Sequence, residues 1–524
     1  MNATLAGALL TILGTTGCAS RGVALRPTRN FDGSLRTNPP PATAWVISTT
    51  SPSEPSVSCS FVEFDERGDY LDFEQHTNAW KRIRQLSTES TNGLILVIYC
   101  HGWKNNVQSG DVVEFNHFLL QVARSKPVRD AGQRVHGLYL GWRGNVVEHY
   151  LDPNSSDFEA TSKAYGGPIV DLRRARSFPL LPTVIPENLS YWDRKGAAEY
   201  KVSGVPMART VFTCAGAAKA TPEEVGRNHV FVMGHSFGAL MLEKCLGQAC
   251  ISALTASWPW SAGDHPVPRA PGTPPPLPFD GILFLNSAAP SIHTKEFADF
   301  LWAHSSALRR AGRPEWDSPT VVSLTSEADS ATGVAHRWAN VLACLYPSLQ
   351  RSYRDGVLAP QNPPVPLPSV PQSFFYEHTP GHNPLLVNRW FTSVAPAPGA
   401  PPPPAASHDA IMAHNLDMSQ PDALRFYTSP RGEPPKGQPL QLWEISKTPW
   451  GPGWNEYLGH RAVNREGYYI IRCDERVIRS HGDIWNQQAQ EAYAGLFRMV
   501  TKLREPARLQ FKRELRTLQT APPR

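Results

Sequence analysis

Excess charge of either sign is scarce in this chain. Its 51 Lys and Arg stand against 46 Asp and Glu, a net of +5 over 524 residues. No basic cluster is interleaved with aromatics, so nucleic-acid binding has little sequence support and is not expected. Metal-ligand spacing is also missing. The eight cysteines, Cys18, Cys59, Cys100, Cys214, Cys245, Cys250, Cys344 and Cys473, show no zinc-type pattern. Internal repeats are absent, and neither a metal nor a cofactor is expected. The apolar stretch Leu5 to Thr16 is twelve residues, too short for a membrane-spanning helix.

What is present describes a globular protein: 41% hydrophobic and 19% charged residues, long enough for a large core. The 50 prolines concentrate in Pro266 to Pro278, Pro360 to Pro371 and Pro396 to Pro404, which read as loops or linkers. Leu5 to Thr16 has the length of a signal-peptide core. Gly17-Cys18-Ala19-Ser20 follows it and resembles a bacterial lipobox, in which Cys18 would be lipidated. An ordinary secretory signal is the alternative. The expectation is an exported protein: residues 1–18 a signal, 19–43 a flexible tether, 44–506 the folded domain and 507–524 a tail. The expected site is the cell envelope, by membrane attachment through Cys18, with a periplasmic or secreted protein as the alternative.

Short buried runs alternate with helical stretches. Ala44 to Ser48, Val57 to Glu63, Leu94 to Cys100, Val135 to Trp142, Val230 to Met233, Gly281 to Leu285, Thr320 to Leu324, Leu440 to Ile445 and Tyr468 to Arg472 read as strands. Tyr70 to Phe73 reads as a further strand, after a turn at Asp65 to Gly68. Trp80 to Leu86, Asp111 to Ser125, Trp192 to Lys201, Glu296 to Arg310 and Trp485 to Leu503 read as helices. This predicts an α/β fold with a mostly parallel sheet and helices on both faces. Insertions are expected at about 145–187 and 347–439.

Between the strand at Val230 and the helix-like Ala239 to Leu246 lies Gly234-His235-Ser236-Phe237-Gly238. A G-x-S-x-G in a strand–turn–helix context holds its serine clear of the sheet at a helix N-terminus, with glycines where side chains would clash. A serine nucleophile needs a base, an orienting acid and donors for an oxyanion. The Phe237 amide is one donor. The His101-Gly102-Trp103 turn after the first central strand supplies the other, through Gly102 or Trp103. For the acid, Asp329 and the alternative Glu327 both follow the strand at Thr320; either could instead cap a helix over Ala331 to Val341. For the base, His481 lies between the last strand and the closing helix, and His382 is the rival. Trp103, Trp142 and Phe237 suggest an apolar pocket wall.

With Leu94 to Trp103, Val230 to Leu240, Thr320 to Asp329 and Tyr468 to His481 in view, the chain resembles a bacterial member of the alpha/beta-hydrolase superfamily, over roughly Ala44 to Glu505. Ser236, Asp329 and His481 match the serine–acid–histidine order of that fold. The resemblance implies acyl transfer to water through an acyl-enzyme, on a small-molecule or lipid ester. A lipase or acyltransferase, or a non-catalytic surface-anchored binding protein on the same fold, are the alternatives.

Overall fold

The computed structural model describes residues 45–47, 57–103, 105–107, 110–144, 194–221, 224, 227–256, 277–310, 320–336, 352–353, 370–383, 386–387, 389–392, 426–428, 441–444, 467–473, 475 and 477–498. The expected signal, Cys18, the tether, the insertion at about 145–187 and the C-terminal tail lie outside these residues.

The strands are β1 (Trp45–Ile47), β2 (Val57–Glu63), β3 (Leu94–Cys100), β4 (Arg134–Gly141), β5 (His229–His235), β6 (Gly281–Leu285), β7 (Val321–Ser326), β8 (Ser352–Tyr353), β9 (Val370–Pro371), β10 (Arg389–Thr392), β11 (Phe426–Thr428), β12 (Gln441–Glu444) and β13 (Tyr468–Cys473). Eleven of them form one sheet in the order β1-β2-β4-β3-β5-β6-β7-β13-β10-β12-β11, and β8 pairs with β9 apart from it. The seven strands from β2 to β13 in that order are all parallel. This is an α/β fold.

The helices are α1 (Phe73–Glu89), α2 (Gly110–Arg124), α3 (Lys126–Asp130), α4 (Val205–Ala218), α5 (Phe237–Ala256), α6 (Ser291–Arg310), α7 (Gln372–Glu377) and α8 (487–498). They cover the sheet on both sides, so each central strand is buried on both faces. Period-two alternation sorts its residues between two cores. Leu94, Leu96 and Ile98 of β3 pack with Ile83 of α1, Val211 of α4 and Leu242 of α5. Ile95, Val97 and Tyr99 face the other way, toward Phe115 and Phe118 of α2 and Tyr493 and Phe497 of α8.

The sheet order also predicts where a site belongs. From β3 the chain steps one way to β4, whereas β5, on the other side of β3, leads the opposite way to β6 and β7. A crevice is expected beyond the strand ends at such a reversal, here past Cys100 and His235.

Two local expectations are corrected. Tyr70 to Phe73 is not a strand: Tyr70 makes a single bridge to Phe64, and Asp72 caps α1 by accepting the Glu74 amide. That cap starts α1 a full two turns before Trp80. The closing helix begins at residue 487, after Trp485, because Asn486 caps it through the Ala489 amide. The segment expected as an insertion at about 347–439 contributes to the sheet. It supplies β10, which extends the sheet parallel to β13, and β11 beyond it.

Candidate active site

Strand β5 ends at His235 and α5 begins at Phe237, leaving Ser236 alone in the turn. Its φ is +54°, in the left-handed region that L-residues seldom adopt. The turn is held from the neighbouring strand: the Ser236 amide donates to the Leu285 carbonyl at 3.0 Å. The Ser236 carbonyl accepts from Leu240 at 3.1 Å and Ala288 at 3.2 Å. The flanking glycines are required sterically. A Cβ on Gly234 would lie 2.8 Å from the Ala239 Cα, and one on Gly238 2.2 Å from the Cys100 carbonyl oxygen. Backbone cannot yield there as a side chain can. Gly238→Ala is therefore expected to push α5 off β3 and cost about 3 kcal/mol. Thermal melting checks this; an unchanged Tm would contradict the packing described.

The serine hydroxyl donates to His481 Nε2 at 2.7 Å, and His481 Nδ1–H donates to Asp329 Oδ2 at 2.9 Å. The carboxylate can only accept when ionised, so it fixes His481 as the Nδ1–H tautomer with a lone pair toward Ser236. Asp329 is buried at the C-terminal end of β7. Its Oδ1 accepts the Ala331 and Thr332 amides, at 3.0 and 3.1 Å, and its Oδ2 also accepts the Thr332 hydroxyl at 2.5 Å. Burial pushes the carboxyl up. The bonds from His481 and Thr332 outweigh it and hold the group below the usual aspartate range. Asp329 thus serves both expected purposes at once. It accepts from His481, and it caps the following π-helical turn Ala331–Ala335; the rest of the helix expected to Val341 lies past residue 336, outside the described residues.

The loop after β3 runs directly against the serine. A Cβ on Gly102 would sit 2.8 Å from Ser236 Cβ. His101 pins the loop from within. Its Nδ1–H donates to the Gly102 carbonyl at 2.8 Å, and its Nε2 accepts the Trp142 amide at 3.1 Å. The Trp142 indole N–H returns to the His101 carbonyl at 3.0 Å. Burial drives the His101 imidazole down to about 4, so it is neutral in this role. Trp103 and Trp142 both lie against Phe237, with ring centroids 6.2 and 6.3 Å apart. Phe237 and Trp142 belong to the buried core, and Trp103 packs against it.

Of the rivals, Glu327 is exposed, and the hydrogen bond to His481 is made by Asp329. His382 stands in a short 3-10 turn, Pro380–His382, with Nδ1 3.1 Å from the Thr379 hydroxyl. Its Nε2 is buried against Gly333, and burial pushes it down to about 4. The bond to Ser236 belongs to His481. Three residues join the cluster without a sequence signal of their own. Thr332 bonds Asp329, while His235 and Asn286 bond the His481 backbone. Among the described residues no group of three or more His, Cys, Asp or Glu is placed to hold a metal. No helix among them is long and apolar enough to cross a membrane. Cys100, Cys245 and Cys473 are buried. No family model, curated protein or solved structure matches the chain.

Proposed function

We propose that the protein is a serine hydrolase of the alpha/beta-hydrolase type that cleaves carboxylic esters through an acyl-enzyme. The observation that carries this reading is the unbroken relay from Ser236 Oγ to His481 to Asp329, at 2.7 and 2.9 Å, on a serine held at positive φ at the head of a helix. In the proposed reaction His481 Nε2 takes the hydroxyl proton as Ser236 Oγ bonds to the ester carbonyl carbon. Asp329 stabilises the imidazolium that forms. The developing oxyanion is met by the first amide of α5, at Phe237, and by the Gly102–Trp103 backbone, since helix N-termini favour negative charge. His481 then returns its proton to the leaving alkoxide, and the alcohol departs. Water, deprotonated by the same imidazole, releases the acid and restores Ser236. The Trp103, Trp142 and Phe237 cluster supports an apolar acyl group beside the serine.

Ser236→Ala is expected to lower kcat for p-nitrophenyl esters by about 10⁶-fold. Turnover equal to the parent protein would reject the reading.

A further inference from the structure

The relay demands more of His481 than a partner on each ring nitrogen. Its imidazole is about a quarter exposed, and it stands in the loop that follows β13. An imidazole displaced by about 1 Å from such a loop loses on the order of 100-fold in rate. Something must fix the backbone beneath the ring, and α8 begins only at residue 487.

Two neighbouring strand ends supply the fixation. His235, the last residue of β5, donates from Nε2 to the His481 carbonyl at 2.8 Å. Asn286, the residue after β6, donates from Nδ2 to the same carbonyl at 3.0 Å and reaches the Ser480 carbonyl at 3.4 Å. Asn286 is also the other described non-glycine residue at positive φ, +43°, beside Ser236 at +54°. That conformation turns its side chain into the loop, and asparagine tolerates it better than most residues. The carboxamide oxygen is used too, accepting the Ser326 amide at 2.9 Å. The Ser326 hydroxyl then holds the Ile478 carbonyl at 2.5 Å. The loop that presents the base is therefore tied to the ends of β5, β6 and β7, the strands that present the nucleophile and the acid.

We propose that Asn286 and His235 are positioning residues, which clamp the His481 carbonyl so that its imidazole stays between Ser236 and Asp329. This rests on the hydrolase reading given above. His235 acts as a fixed donor. Its Nε2–H faces a carbonyl, its Nδ1 is buried with no partner among the described residues, and burial, with the His481 imidazole nearby, pushes it down to about 3. The clamp stays neutral over the working pH range.

The test compares the parent protein with Asn286→Asp, Asn286→Gly and His235→Phe, each alone and combined with His481→Ala. Asp keeps the shape and the acceptor for Ser326 but loses the donor. Gly keeps the positive φ and loses the whole side chain. Phe keeps the ring of His235 without its N–H. The readouts are kcat and KM for p-nitrophenyl acetate, the rate of labelling by a fluorophosphonate, and Tm. Each single variant is expected to lose about 10- to 100-fold in kcat and labelling rate with KM little changed. In the His481→Ala background the same changes are expected to have no further effect, because the clamp acts only through His481. Unchanged kcat in folded variants overturns the proposal. So does a loss that persists undiminished in the His481→Ala background, or a collapse of the fold in all three, since either assigns these bonds to the scaffold. A folded parent protein that neither turns over ester nor labels overturns the hydrolase reading and this proposal with it. A parent that labels at Ser236 beside variants that label equally fast overturns the clamp alone.

Discussion

His481→Ala is expected to lower kcat/KM for ester hydrolysis by about 10⁶-fold, and Asp329→Asn by about 10⁴-fold. The two effects differ because the residues do different work. Without His481 nothing accepts the Ser236 proton. Without a carboxylate at 329 the imidazole is still present, but its tautomer is no longer fixed. In Asp329→Asn the Oδ1 position can still accept the Ala331 and Thr332 amides, so the turn after β7 survives. The other position then presents an N–H2 to His481 Nδ1. The imidazole answers by carrying its proton on Nε2, where it faces Ser236 and cannot act as a base. Glu327→Gln and His382→Gln provide the contrast, since neither residue bonds Ser236 or His481. Steady-state kinetics on all four variants checks the assignment. A loss at Glu327 or His382 equal to that at Asp329 or His481 would move the acid or the base.

Acidification from pH 7 to pH 5 is expected to destabilise the fold steeply and with uptake of several protons. Among the described residues burial pushes down six imidazoles: His101 and His382 to about 4, His136 and His235 to about 3, His336 well below its ordinary value, and His76 below it. Each regains an ordinary value near 6.5 on unfolding. Between the folded and unfolded values the unfolded chain binds more protons, so stability rises with pH. It is fully present above about 6.5 and is lost as pH falls below that. Each imidazole with a folded value of 3 to 4 then costs about 2 kcal/mol at pH 5, and four of them approach the whole stability of a typical domain. Burial acts oppositely on the Asp111 and Glu243 carboxyls, which it pushes up and which favour the folded state as pH falls. Two such groups against six leave the imidazoles in control. Asp329, held low, adds its own loss only near and below the ordinary aspartate range. Thermal melts across pH 4 to 8 check this. A Tm that stays flat down to pH 5 would contradict the burial of these rings as neutral groups.

The parts of this site that could be read from the sequence are those fixed by local chemistry. Ser236 is marked by glycines two residues away on each side, and their need is steric and immediate. Strands β3, β5 and β6 are legible because a sheet covered on both faces needs continuous apolar runs. Asp329 and His481 follow from their places after strands. Non-local bonds left no such mark. Asn286 reaches His481 across 195 residues, and His235 reaches it across 246. In the sequence Asn286 is only the residue that ends a strand. Elsewhere one local signal overrode another. The aromatic and apolar character of Tyr70, Leu71 and Phe73 lost to the cap at Asp72. Helix α4 was hidden because Pro206 reads as a breaker, although it sits in the first turn, where no backbone donor is needed. Strands β10 and β11 were hidden by the prolines around them, whereas β12 falls within the expected strand Leu440 to Ile445.

The measurement that bears most directly on the account is labelling of the folded full-length protein with a fluorophosphonate, followed by identification of the modified residue by mass spectrometry. A serine hydroxyl bonded to an imidazole that is itself bonded to a buried carboxylate should displace fluoride from the probe, at Ser236 and at no other serine. The account predicts one phosphonylated site, at Ser236, absent from Ser236→Ala and strongly slowed in His481→Ala. A folded protein that remains unlabelled, or one labelled equally well without Ser236, would contradict it.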